Sequence, residues 1–401
     1  MTDPTPVLSI HTATAPPLGA DTWVHLQILA NVDRQRFTPH VACATGAADA
    51  PTPTHAELLR IDGLQIVPVD FGPELYHTDG RAKAIGALKT AWGVRSLPRL
   101  ARYIRRHRIR LLHTSDRPRD AAATVLLGRL TRTPTIVHVH VAYGLWMSRL
   151  LRWALGHADH LVAVSHFVAA TLREAGIPAE RIHVVHNAID PQPWAPAGTR
   201  AATRAAVGVA ATAPVVITVS RLIPAKGTED LLRAFAHVRA RHPDAQLLVV
   251  GADPEPGEPY LTRLRQLADA PELRGGVTFL GRRTDVPALM QAADVFALAS
   301  FEEPFGLVFA EAMATGLPVV GLANGGAVEV VEHPTTGLLV APHDVDALAD
   351  AIGTLLDDPP RRAAMGAAGR ARVAALFTTR AQADTVGALY ARLLDEHWPH
   401  S

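Results

Sequence analysis

Two rhythms of apolar and polar positions interleave along the chain. In the first half, short apolar runs bounded by turn formers (PVLSIH, HVACAT, LQIVPVD, RLLHT, PTIVHVH, HLVAVS) alternate with Ala- and Leu-rich segments of helical spacing. The second half repeats the alternation with APVVITVS, AQLLVVG, GVTFLG, DVFALAS, LPVVGL and TGLLVAP. Strands that alternate with helices in this way predict parallel sheets, so the pattern predicts two similar α/β layers in succession. The run is broken between Ile189 and Arg200 by Pro191, Pro193 and Pro196, which places a hinge there and predicts domains over 1–190 and 191–377. The last segment, 378–401, reads as an amphipathic helix with Ala383, Val386, Leu389, Tyr390 and Leu393 at helical spacing.

A length of 401 residues agrees with two domains. Hydrophobic residues at 48% and charged residues at 19% exclude a disordered chain. The lone Cys43 can form neither an internal disulfide nor a Cys-based zinc cluster, which points to a reducing compartment. No stretch reaches the roughly 18 uninterrupted apolar residues of a membrane span, and MTDPTPVLSIHT lacks the regions of a signal peptide, so a cytoplasmic location is expected. The net charge of +1 hides an asymmetry, because residues 1–190 hold 21 Lys and Arg against 15 Asp and Glu while the remainder holds 18 against 23. That excess is too small and dispersed for nucleic acid, but it predicts a first half that meets something anionic.

The densest chemistry lies in ADVFALASFEEPFGLVFAEAMATGLPVVGL, Ala293 to Leu322, which reads as strand, loop, helix and strand. Ligands of open α/β sheets bind outside the carboxyl ends of the strands, so this loop faces a binding crevice. The backbone amides of Phe305, Gly306 and Leu307 are then first-turn donors suited to phosphate. Glu303 in the loop and Glu311 on the helix offer paired carboxylate acceptors for the vicinal hydroxyls of a sugar or ribose; the alternative reading of both is a solvated loop charge and an exposed helix residue. In VITVSRLIPAKGTEDLLRAF, Arg221 and Lys226 follow a strand end, and Thr228 is expected to cap the next helix. Cations are disfavoured at a helix N-terminus unless an anion joins them, so the pair predicts a pyrophosphate clamp.

SRLIPAKG, EPFGLVFAEAMATG, NGGAVEVVE (Asn324 to Glu332) and TGLLVAP, in that order, resemble family 4 of the retaining nucleotide-sugar glycosyltransferases. The likeness extends to PTIVHVH, whose last residue His140 matches the family's cleft histidine, and to VAVS and HNAID at 162–165 and 186–190. One departure stands in the first loop, PPLGADTW, where Leu18 replaces the first of two glycines, Gly19 remains, and Asp21 lies near the acidic position. The resemblance implies two Rossmann-like domains facing across a cleft (GT-B) and a C-terminal helix crossing back to the first domain. It implies metal-free, retaining transfer of a hexosyl unit from a nucleotide-sugar donor to an acceptor that the residues leave unspecified. Arg221, Lys226, His140 and Glu303 take the catalytic roles, and Gly19, Phe305, Gly306, Leu307 and Glu311 hold the donor. A nucleotide-sugar 2-epimerase of the same fold and a non-catalytic sugar-nucleotide-binding subunit are the alternatives.

Asp344 and Asp346 form a DVD, but they precede an apolar helical run, so Asp344 is expected as an ordinary N-cap and not a metal ligand. His138 and His140 share one side of a strand, yet no third ligand lies near them in sequence, so no metal is expected. No GxGxxG occurs, which argues against a conventional dinucleotide oxidoreductase. Arg95 to Arg110 reads as a helix with Leu97, Leu100, Ala101 and Ile104 on one face and Arg99, Arg102, Arg105 and Arg106 spread over the other. It fits either packing on the first sheet or peripheral contact with an anionic membrane face.

Overall fold

The structure, a computed structural model, describes residues 3–13, 19–47, 50–71, 96–195 and 200–398. It divides into two compact units, Met1–His186 with Thr379–Ser401, and Asn187–Thr378.

The first unit is built on strands β1 (Thr5–His11), β2 (Phe37–Cys43), β3 (Gln65–Pro68), β4 (Leu111–Ser115), β5 (Thr135–Val139), β6 (His160–Ala163) and β7 (Ile182–Val184). Among the described residues they form one parallel sheet in the order β3-β2-β1-β4-β5-β6-β7. Six of these strands are the six apolar runs. The seventh is an edge strand of three residues with its last two half-buried, too short and too polar for periodicity to reveal. Leu8, Ile10, Val41, Leu112 and Val137 are fully buried along its central strands.

Helix α1 (Ala20–Asn31) follows β1, and α2 (Ser96–Arg106) precedes β4. The buried face of α2 is Leu100, Ala101 and Ile104, with Arg99, Arg102, Arg105 and Arg106 exposed. The helix is shorter than expected: Arg108 takes a left-handed φ of 51°, and the Arg110 N–H bonds the Pro6 carbonyl at 2.9 Å, so the chain has already turned into the sheet. Arg95 lies outside the described residues.

The second unit carries β8 (Val215–Val219), β9 (Gln246–Val250), β10 (Val277–Gly281), β11 (Val295–Leu298), β12 (Val319–Leu322) and β13 (Gly337–Val340), all parallel. Their order, β10-β9-β8-β11-β12-β13, is the 3-2-1-4-5-6 order of a doubly wound nucleotide-binding sheet. Helices α3 (Thr228–Arg241) and α4 (Leu307–Thr315) follow β8 and β11. Leu231, Phe235, Val216, Leu247, Val295 and Ile352 belong to one buried cluster that joins sheet and helices. The unit is closed where its ends meet, the Ile189 N–H bonding the Phe377 carbonyl at 2.9 Å.

The last helix, α5 (Thr379–His397), packs in the first unit. Val386, Tyr390 and Leu393 are buried, Tyr390 stands edge-on to Phe37, and its hydroxyl lies 2.6 Å from His113 Nδ1. Among the described residues no helix is long and apolar enough to cross a membrane.

Candidate active site

Strands β8 and β11 are neighbours in space although two strands separate them in sequence, which makes their carboxyl ends the point where the winding reverses, the position at which such sheets bind ligands. Both cationic and acidic signatures of the sequence arrive there. The loop after β8 carries Arg221, which is exposed, and a 3₁₀ turn, Pro224–Lys226. The loop after β11 docks onto it, the Phe301 N–H bonding the Ala225 carbonyl at 2.9 Å. Gly227 makes that approach possible, since it sits at φ 63° and a Cβ there would fall 1.9 Å from the Ala299 carbonyl oxygen. This close passage also corrects the expected cap of α3, because the chain must turn left-handed at Gly227 to clear Ala299, and Gly227 rather than Thr228 becomes the N-cap. Thr228 is the buried first residue of the helix.

The docking delivers Lys226 Nζ to Glu303 Oε2 at 2.6 Å, with side-chain exposures of 16% and 11%. The Glu303 loop is held from behind by the glycine turn after β12, whose Gly326 N–H bonds the Glu303 carbonyl at 2.7 Å while the Asn324 side-chain amide donates to the Phe301 carbonyl. The motif NGG was visible in the sequence, but its task of bracing Glu303 was not.

Gly306, at φ 100°, is the N-cap of α4 and makes no side-chain capping bond. Phe305 anchors it, buried and edge-on to Phe377. Leu307 is the first helical residue, and Glu311 follows one turn later. Glu311 is half-buried, and burial pushes its carboxyl up to about 7. Asp344 caps the helix Val345–Asp357 by accepting from the Ala347 N–H at 2.9 Å.

Gly19 and His140 belong to the first unit. Gly19 is the N-cap of α1, and a Cβ there would lie 2.3 Å from Asp21 Oδ1. Asp21 pairs with Arg117 at 2.8 Å. Burial raises the Asp21 carboxyl, but Arg117 and His140 outweigh it and hold it low. Leu18 lies outside the described residues. His140 follows β5, its backbone N–H bonded to Asp116 Oδ2 at 2.8 Å. Burial lowers its imidazole, against the pull of Asp116 and Asp21. His138 stacks on it at 4.5 Å between ring centroids. Sequence reasoning paired these two and missed that β1, α1 and β4 bring His11, His25 and His113 to the same place.

The two Rossmann-like sheets define the chain as a GT-B protein, and the Anabaena protein Alr3699/HepE in complex with UDP-glucose shares the fold at TM-score 0.76 and 25% identity, over 98% of this chain and 99% of that one. The profile "Glycosyl transferases group 1" matches residues 199–372 and "Glycosyltransferase Family 4" matches residues 24–193. A GDP-mannose-dependent alpha-(1-6)-phosphatidylinositol monomannoside mannosyltransferase of Mycolicibacterium smegmatis is 36% identical over 270 residues, 62% of this chain and 69% of the relative. The GDP-mannose-dependent monoacylated alpha-(1-6)-phosphatidylinositol monomannoside mannosyltransferase of Corynebacterium glutamicum is 39% identical over 228 residues, 54% of this chain and 58% of that relative. The chain belongs to glycosyltransferase family 4.

Proposed function

We propose that this family-4 protein transfers a hexosyl unit from a nucleotide-sugar donor, with retention of anomeric configuration and with protein cations rather than a metal at the leaving diphosphate. The convergence of Arg221, Lys226, Glu303 and the start of α4 at one switch point carries this reading. Negative charge grows on the diphosphate as the glycosidic bond breaks, and a point charge, a planar guanidinium and helix amides are suited to stabilise it there. Glu303 is assigned to the hydroxyls of the donor hexose and Glu311 to the ribose, whose hydroxyls donate to a carboxylate. Residues 1–190 receive the acceptor, with His140 on the sugar or acceptor side, while Gly19 is assigned with the donor-binding residues.

GDP-mannose is the donor to test first, because the relatives at 36% and 39% identity are GDP-mannose-dependent. The relatives' names also carry phosphatidylinositol acceptors or D-inositol 3-phosphate, and the positive balance of the first half suits an acceptor bearing phosphate. Thermal shift against GDP-, UDP- and ADP-sugars identifies the donor, since a ligand of the folded state raises the melting temperature. Calorimetry then separates the roles: Glu311→Ala weakens nucleoside diphosphate binding, whereas His140→Ala spares it and lowers turnover. Equal losses of nucleotide affinity in both variants overturn the assignment, and an inverted product by NMR overturns retention.

A further inference from the structure

Five histidines meet inside the first unit. His11 ends β1, His25 lies on α1, His113 and His138 stand in β4 and β5, and His140 follows β5. Ring centroids are 4.3 Å apart for His11–His25, 4.8 Å for His25–His113, 5.1 Å for His25–His138 and 5.5 Å for His113–His138. His25, His113 and His138 are 2%, 1% and 0% exposed. Burial lowers all three imidazoles, so they are neutral at physiological pH and each can offer one ring nitrogen with a lone pair.

The hydrogen bonding of this cluster is incomplete. Nε2 of His25, Nε2 of His113 and both ring nitrogens of His138 are buried and find no partner among the described residues. A buried polar nitrogen left without a partner is costly, and a cluster of them in one place marks an absent partner. His113 is already oriented for one: its Nδ1 faces the Tyr390 hydroxyl at 2.6 Å, which fixes the ring and directs Nε2 inward, as outer hydrogen bonds do for metal-bound histidines. One ligand nitrogen from each of the three histidines lies within 4.8 Å of the other two.

We propose that His25, His113 and His138 form a three-imidazole site for a divalent first-row transition cation of borderline softness, with Zn2+ as the reference ion. Imidazole is the ligand type such cations favour. Bonds of about 2.0–2.1 Å in a tetrahedral site require ligand nitrogens about 3.3–3.4 Å apart. The three rings therefore close inward by at most about 1.5 Å, which rotation of the rings about their side-chain bonds supplies. His11 lies beside His25, its ring tilted to that of His25, and its own Nε2 is unpartnered. Neutral imidazoles release no proton on binding the ion, so affinity near neutral pH is not reduced by proton competition. The ion would join α1, β4 and β5 and, through Tyr390, the C-terminal helix, segments that are distant in sequence. The site lies in the first unit and does not depend on the glycosyl-transfer reading.

The test uses full-length protein without a polyhistidine tag. After dialysis against Zn2+ and passage over a desalting column, elemental analysis is expected to find equimolar zinc. Zn2+ at about a hundredfold over Kd should raise the melting temperature by about 5–10 °C, and EDTA should reverse the rise. Co2+ in place of Zn2+ should give the intense visible bands of a low-coordinate cobalt–imidazole site. His113→Gln should abolish retention and bands. Tyr390→Phe, a milder change should that variant not fold, should weaken Zn2+ affinity about 10–100-fold. No retained zinc and no cobalt bands in the wild type overturn the site, as does full retention in His113→Gln or unchanged affinity in Tyr390→Phe, either of which would place the metal on surface histidines.

Discussion

Lys226 and Glu303, 77 residues apart in the chain, are joined by an ion pair of 2.6 Å at the reversal point of the second sheet. The pair holds a cation and a carboxylate together where the proposed reaction needs one for the leaving diphosphate and the other for the sugar. Each partner also orders the other's loop.

Removal of the two partners therefore has different signatures. Lys226→Ala should lower both nucleoside diphosphate affinity and turnover, the latter about 10²–10³-fold by analogy with loss of one oxyanion donor. Glu303→Gln keeps the shape of the side chain but loses the charge-assisted acceptor, so turnover should fall by about a hundredfold while nucleotide affinity stays near wild type. Calorimetry and initial rates on both variants check this. A fully active Glu303→Gln enzyme removes the residue from the site.

Glu311 gives stability a pH dependence of defined sign. Its carboxyl is raised from 4.5 to about 7 by burial, so between those values the native protein keeps a proton that the unfolded chain has released. Stability then falls as pH rises through that window, and the loss is complete above it. Glu311→Gln carries no such slope. It should exceed wild type by about 2 kcal/mol above pH ~7.5 and converge with it below pH ~4.5, as read by urea denaturation across pH. Parallel curves at all pH values contradict the assignment.

Gly227 should tolerate no side chain. A Cβ would strike the Ala299 carbonyl at 1.9 Å and the residue is left-handed, so Gly227→Ala should destabilise the second unit by about 3 kcal/mol or more. Gly208, at φ 73° with open space around its Cβ position, is the control, and Gly208→Ala should cost only about 1–2 kcal/mol for its backbone alone. Equal destabilisation of the two variants in chemical denaturation would show that the approach to Ala299 is unimportant.

The exposed arginines of α2 offer a membrane test. Arg99, Arg102 and Arg106 point to solvent, and Arg105 does so while donating to the Leu130 carbonyl at 2.6 Å. Near an anionic surface each basic residue gains about 1 kcal/mol, so co-sedimentation with acidic vesicles should occur at low salt and fade as salt rises. An Arg99→Gln, Arg102→Gln, Arg106→Gln variant should lose most of it. Absence of wild-type binding at low salt assigns the helix to packing alone.

The sheets were legible in the sequence because their strands are apolar runs between turn residues, and twelve of the thirteen strands coincide with such runs. Arg221, Lys226, Glu303 and Glu311 were legible because local rules place them beside a strand end or a helix start. Tertiary structure decided what periodicity cannot carry. Whether Lys226 meets Glu303 depends on β8 lying next to β11, a choice of strand order, and on one glycine that lets two loops touch. The left-handed turn at Gly227 displaced the expected Thr228 cap for the same reason, since a steric demand from Ala299 lies far away in sequence. The histidine cluster was invisible because each member occupies an ordinary core-facing position in its own element. Only parallel pairing of β1, β4 and β5, with α1 laid against them, turns separate core histidines into one cluster.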